Sequence, residues 1–420
     1  MTEESARAGV YVHFPYCLSK CPYCDFVSYA LPPEQRVDHT AYADAVIREI
    51  EARAPAFSGR RAETVFFGGG TPSLWAPREL GRVLANVRDV LCGDGRGLGS
   101  DASGAGIEVT VECNPTSLDE DRARALADAG VNRLSIGVQS LRDERLRHLG
   151  RLHDAKGARE AVRGAMRSGI ARVSADLIFG LPGQSAAEAR EEALELADLG
   201  LTHLSCYQLT IEPGTRFGEL ARRGRLPLAD DGTVAEAFLA VDDALSGLGF
   251  RHYEVSNFAK PGQEARHNLG YWRGDEYLGL GCAAFGFLRT GGGDAVRGRP
   301  DGESARGVRY RNAVLPERFV EGTRTARRGA AGDDDGISEA TERLDAETLL
   351  RERIMLGLRM EGGLDLDAAA RALGVPGWTE ERTRAAAWLE QRGRIVRTAA
   401  RVSIPRPAWL WTDDTAARLF

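Results

Sequence analysis

Three cysteines, Cys17, Cys21 and Cys24, sit in the stretch CLSKCPYC with C-x3-C-x2-C spacing. A disulfide framework calls for an even number of cysteines, and a tetrahedral zinc site for four ligands. Three clustered thiols leave three readings. Zinc would need a fourth ligand, and His13 is the histidine near enough in sequence to supply it. The thiols could be unligated. Or they hold a [4Fe–4S] cube, which ordinarily takes four thiolates; with three, one iron stays open to a small chelating ligand bearing an amino and a carboxylate group. Cys92, Cys113, Cys206 and Cys282 are scattered through apolar or strand-like contexts. That usage points to a reducing, cytoplasmic compartment and not to a secreted disulfide scaffold.

Other residues invite chemistry. In GGGTPS (68–73), Gly69, Gly70 and Thr71 follow an apolar run, and glycines there let the backbone approach a bound group closely. A plain strand–helix turn explains one or two of these glycines, less readily three. Glu112 and Gln139 end apolar runs, Asp176 lies within one, and Arg151 follows a helical stretch. Isolated polar residues at strand ends are a common active-site pattern in parallel sheets, though each alone also reads as structural.

The elements that must position these residues alternate. Strands are predicted at 10–14, 64–70, 107–114, 132–140, 172–180 and 201–209, with helices between them; the first helix places Ala43, Val46, Ile47 and Ile50 on one face. Ser117 with Glu120, and Ser185 with Glu188, read as capping boxes opening two of the helices. Six strand–helix alternations predict an α/β fold with a parallel sheet; periodicity does not fix whether it is open or curled. A helix is expected at 233–248. Gly-, Arg- and Asp-rich composition marks 291–346 as a flexible linker or insertion and 93–106 as a smaller loop insertion. Three helices and a hairpin in 347–420 suggest a winged-helix-like module. Its second and third helices lack a strong basic stripe, and the 420-residue chain has net charge −6, so nucleic acid is not expected as a partner. The first residues, MTEESARAGV, lack the apolar core of a signal peptide, and no apolar run is long enough to cross a bilayer.

CLSKCPYC, with Tyr23 before the last cysteine, resembles the signature of the radical S-adenosylmethionine (SAM) superfamily. That resemblance implies that Cys17, Cys21 and Cys24 bind three irons and SAM chelates the fourth. The reduced cluster then passes an electron to the sulfonium, giving methionine and a 5′-deoxyadenosyl radical. It further implies a partial (β/α)6 barrel over 1–210, completed by 211–290, with Gly69, Gly70 and Thr71 contacting the methionyl amino group. Tyr11, Tyr23, Glu112, Gln139, Arg151, Asp176 and Thr210 are the remaining SAM positions by the same likeness. The strings YVHFPYC, FFGGGTPS, VECNP, RLSIGVQS, LGRLH, ADLIFGLPGQ and YQLTIEPGT are similar to the coproporphyrinogen dehydrogenase-like branch of porphyrin biosynthesis. Two subgroups share them: the oxygen-independent coproporphyrinogen III oxidases, which decarboxylate propionate side chains, and the HemW-type heme chaperones. The oxidases carry a further cysteine where this chain has Phe26, and a long N-terminal extension where ten residues precede Tyr11 here; HNLGYW (267–272) resembles the H-N-x-x-Y-W motif of the chaperones. The chaperone likeness implies heme as cargo, with His267 an axial ligand and Tyr271 and Trp272 flat apolar faces for the porphyrin. From the residues alone the same motif reads as a core aromatic pair beside a capping His–Asn. The likeness also implies a heme-acceptor protein, respiratory proteins among the choices, a peripheral membrane contact, and a monomeric or dimeric state.

Overall fold

The structure, a computed structural model, describes residues 6–420 except 33, 35, 93–105, 291–304 and 334. The loop insertion expected at 93–106 falls almost wholly outside the described residues, as does the first part of the expected linker. One sheet of twelve strands organises the main body. In chain order these are β1 (Ala6–Phe14), β2 (Arg60–Gly69), β3 (Glu108–Cys113), β4 (Arg133–Gln139), β5 (Arg172–Phe179), β6 (His203–Gln208), β7 (Arg251–Glu254), β8 (Asn257–Ala259), β9 (Glu276–Leu280), β10 (Phe285–Arg289), β11 (Gly307–Asn312) and β12 (Ser338–Leu344). Their spatial order is β12-β11-β10-β9-β1-β2-β3-β4-β5-β6-β8-β7. Strands β9 and β1 to β6 pair in parallel, and both flanks are antiparallel.

The parallel strands β1–β6 and their crossover helices form a partial (β/α)6 barrel. The helices are α1 (His39–Arg53), α2 (Pro77–Leu91), α3 (Glu120–Asp128), α4 (Asp143–His148), α5 (Ala155–Arg167) and α6 (Ala186–Asp198). Strand period two separates two faces. Val10, Val12, Val65, Phe67, Val109, Val111, Leu134 and Ile136 are fully buried and belong to the main apolar core, as do Val46 and Ile50 of α1. The alternate positions are polar: Thr64, then Glu108, Thr110 and Glu112, then Ser135, Ser174 and Asp176. Hydrogen bonds cross this second face, from Ser135 Oγ to Asp176 Oδ1 (3.2 Å) and between Ser174 Oγ and His203 Nδ1 (2.7 Å).

Two expectations change. The helix after β3 is capped by Asp119, whose carboxylate accepts from Arg122 N at 2.7 Å. Pro115–Ser117 forms a short 3-10 turn, so Ser117 stops short of the cap and its hydroxyl meets Ser73 Oγ at 2.7 Å. The Ser185/Glu188 capping box is present. The linker expected over 291–346 is instead ordered over most of 305–346, giving β11, a helix at Pro316–Gly322 and β12. The reason is a buried ion network that composition conceals. Arg53 of α1 pairs with Glu49 (3.0 Å) and with Asp335 (2.9 Å), all with side chains at most 1% exposed. Asn312 and the Gly281 amide also donate to Glu49, tying three segments together.

Beyond residue 345 lie helices Ala346–Gly357, Leu366–Leu373 and Glu380–Glu390, then an antiparallel pair, Val396–Arg397 with Val402–Ser403. This is the small winged-helix-like α+β domain. It continues the main body through backbone bonds between Val255 N and Arg359 O and between Glu361 N and Tyr253 O.

Candidate metal and cofactor site

A cavity of about 480 Å³ opens where the parallel strands end. Its wall includes all three clustered cysteines, reached by the loop that leaves β1, together with Tyr23, Gly69, Gly70, Thr71, Glu112, Gln139, Arg151, Asp176 and Thr210. Residues far apart in sequence thus converge because β2 to β6 deliver their C-terminal ends to one rim, the usual ligand-binding edge of parallel α/β folds.

Local contacts seat the thiols. Thr71 Oγ1 donates to Cys17 Sγ at 3.4 Å, and Arg151 Nη1 to Cys21 Sγ at 3.4 Å while its Nη2 anchors on Gly137 O at 2.8 Å. Burial pushes the Cys17 thiol up, with the Thr71 bond opposing. No disulfide consumes these cysteines. Among the described residues no three His, Cys, Asp or Glu side chains converge on one point as ligands of a single ion would. Three thiols lining one cavity are a donor set that fits a cube, in which each thiolate takes a different iron. His13 is not a spare fourth ligand: its Nε2 donates to Val27 O at 2.8 Å and its Nδ1 accepts from Tyr11 OH at 2.9 Å. Burial holds its ring down at about 4, hence neutral. Tyr11, its hydroxyl bonded to His13, is not among the residues lining this cavity.

The glycines answer to neighbours. Gly69 has φ +110°, and a Cβ there would fall 2.5 Å from the His13 ring; one at Gly70 would fall 2.7 Å from Tyr16 O. Gly70 N and Thr71 N in turn donate to Phe14 O (2.8 Å) and Tyr16 O (2.9 Å). The glycine run is thus pressed against the chain that becomes the cysteine loop, fixing the two relative to each other. Gln139, a non-glycine residue at φ 67°, ends β4 in the left-handed region at the cavity wall; backbone strain of this kind gathers at functional sites. Glu112 accepts from Gly69 N at 3.2 Å. Burial, with the Asp176 carboxylate adding to it, raises Glu112 to about 8. Asp176 is raised by burial too, opposed by bonds from Ser205 and Ser135. Two carboxyl groups poised to ionise suit a cationic ligand.

Ser135 and Tyr207 also line the cavity and escaped sequence reasoning. For Tyr207 period two carried the signal, since it shares a strand face with Ser205; for Ser135 it did not, because a bulge between Ile136 and Gln139 breaks the alternation.

The heme candidates lie elsewhere, by the N-terminal ends of β1, β2 and β9. His267 and Tyr271 border a second cavity of about 280 Å³ with Gly9, Thr64 and Glu276. His267 is 3% exposed. Its Nδ1 shares a hydrogen bond with Thr64 Oγ1 (2.8 Å) and its Nε2 with Tyr271 OH (3.0 Å), while Phe66 stacks on the ring at 5.0 Å. Burial lowers it to about 4. Tyr271 meets Tyr277 edge-on, and Arg359 lies over Trp272 at 5.1 Å. Both ring nitrogens of His267 are thus engaged within the protein, one by Thr64 and one by Tyr271, itself among the expected heme residues.

Comparison with known proteins agrees with this geometry. Residues 11–197 match the radical SAM superfamily and 344–411 the HemN C-terminal domain, so fold and thiol cavity define a radical SAM protein. The chain is 39% identical to the heme chaperone HemW of Escherichia coli K12 over 75% of this chain and 76% of that protein, and 34% identical to the HemW of Mycobacterium tuberculosis H37Rv over 85% and 83%. It belongs to the HemW heme chaperone family. A mitochondrial radical S-adenosyl methionine domain-containing protein 1 from Bos taurus is 41% identical over 70% of this chain and 64% of that protein. The E. coli coproporphyrinogen III oxidase HemN, a radical SAM enzyme, shares the fold with a TM-score of 0.74 over 100% of this chain and 91% of that one, at 20% identity.

Proposed function

We propose that this protein binds a [4Fe–4S] cluster through Cys17, Cys21 and Cys24, binds SAM beside it, binds heme, and delivers the heme to an acceptor protein. The observation that carries the reading is the convergence of three unpaired thiols and the GGGT turn on one cavity, in a chain whose relatives are named heme chaperones. When bound, the cluster supplies an open iron corner able to take an amino and a carboxylate group. The chain's own residues do the rest. Arg151 and Thr71 orient the sulfurs, Gly69 and Gly70 lock the turn onto the cysteine loop, and Glu112 and Asp176 present carboxyl groups to a cationic amine. Tyr23, Gln139 and Thr210 complete the wall, with Tyr11 bonded to His13. On this reading the protein works in the cytoplasm as a monomer or dimer, touching membranes only peripherally where its acceptor is respiratory.

For His267 to ligate iron, Tyr271 or Thr64 must release a ring nitrogen. Heme titration followed at the Soret band tests this. Wild type should bind, His267→Ala should bind more weakly, and Tyr271→Phe, which frees Nε2, should bind more tightly. Unchanged affinity in both variants would remove His267 from the site. Anaerobic incubation with coproporphyrinogen III, SAM and a reductant should yield no protoporphyrinogen; its formation would favour an oxidase and overturn the reading.

A further inference from the structure

The C-terminal domain carries a feature that neither the cavity nor heme transfer uses. Trp388 and Trp411 are 37% and 49% exposed, whereas nearby Trp409 is buried with its Nε1 bonded to Ile404 O. Both exposed indoles carry guanidinium groups. Arg392 sits 3.9 Å and Arg418 4.5 Å from the Trp388 ring centroid, and Arg394 sits 5.1 Å from that of Trp411. Asp414 joins the two halves, pairing with Arg418 at 3.3 Å and with Arg394 at 2.8 Å. The result is one continuous surface ladder. Arg392 donates only to Trp388 O (3.4 Å) and has no carboxylate partner among the described residues. Within the ladder three arginines, Arg392, Arg394 and Arg418, meet one carboxylate, Asp414, a local net +2 on a chain of overall charge −6.

We propose that this ladder is a docking surface for an acidic polypeptide segment that also bears apolar side chains. Arg392, stacked on Trp388 and without a carboxylate partner among the described residues, keeps N–H donors for an incoming carboxylate, and the stacking holds them in place, while Arg394 and Arg418 share Asp414. Trp and Arg are the side chains that most often dominate interface energies. A positive patch on an otherwise acidic molecule steers an acidic partner to that one place. The alternatives fit less well. An interfacial membrane site presents bare aromatic rings on a long amphipathic helix; here the exposed rings carry cations, and the helices at Glu380–Glu390 and Thr412–Ala417 are short. A nucleic-acid site needs a denser positive field than three arginines around one carboxylate provide.

The inference does not depend on the heme reading, and its test uses the full chain without heme. The probe is a fluorescein-labelled peptide of alternating Glu and Leu, followed by anisotropy. Wild type should bind it with an affinity that falls as salt rises, and should not bind the Gln–Leu counterpart. Arg392→Glu, a change at an exposed position, should weaken binding about tenfold or more, and Trp388→Ala should weaken it comparably. Arg190→Glu, exposed and outside this domain, should leave it unchanged. Equal affinity in Arg392→Glu, equal binding of the Gln–Leu peptide, or tighter binding of phosphatidylglycerol vesicles or duplex DNA than of the acidic peptide would each overturn the proposal.

Discussion

Glu112 allows the site's electrostatics to be tested without any cofactor. Its carboxyl is raised from an ordinary 4.5 to about 8, by burial first and by Asp176 second. Between those two values the folded chain holds a proton that the unfolded chain has released. Stability from this group is therefore greatest in acid and falls as pH rises toward about 8. At about 1.4 kcal/mol per pH unit, the loss accumulated by pH 7 is about 3 kcal/mol, an upper value because the side chain borders open space. Glu112→Gln abolishes that titration while keeping the acceptor that meets Gly69 N. The assay is thermal unfolding of the apo chain in wild type and variant from pH 5 to pH 8.5. Other groups, Glu49 and Glu254 among them, are common to both proteins and cancel in the difference. The variant should gain on wild type as pH rises, by a few degrees at neutral pH. SAM should shift the melting of the variant less than that of wild type. A wild-type-to-variant difference constant over that pH range would refute the reasoning.

Three further outcomes follow from named contacts. Arg53→Ala leaves Glu49 and Asp335 buried without their cation and should cost about 3–5 kcal/mol, read as a large drop in melting temperature. Arg351→Ala, at an exposed helical pair with Glu347, should cost well under 1 kcal/mol in the same assay. Gly69→Ala, forced to φ +110° with its Cβ against the His13 ring, should retain little visible absorbance after anaerobic reconstitution, although no cysteine is touched.

Much of the site was legible because its signals are local. The cysteine spacing and the GGGT turn are contiguous in sequence, strand ends mark where Glu112 and Gln139 emerge, and Asp176 stands out as a carboxylate inside an apolar strand. Tyr207 was missed because its signal is alternation along a strand, visible once a neighbour on the same face is known to be functional, and Ser135 because a bulge breaks that alternation before Gln139. The glycines were assigned to ligand approach, but contacts across the sheet to His13 and Tyr16 are what exclude a Cβ, and those are nonlocal. The 291–346 stretch misled because composition cannot distinguish a solvated Asp from Asp335, which is buried against an arginine far earlier in the chain. Around His267 the motif shows a histidine beside aromatics but not that Thr64, from another strand, takes one of its nitrogens.

The most direct test of the central claim is iron and sulfide analysis with electron paramagnetic resonance on anaerobically reconstituted protein, before and after SAM. The account predicts about four irons per chain, a reduced-cluster signal that SAM alters, and loss of both in the variant with Cys17, Cys21 and Cys24 all changed to Ala. Zinc in place of iron, or a cluster that survives removal of the three cysteines, would contradict it.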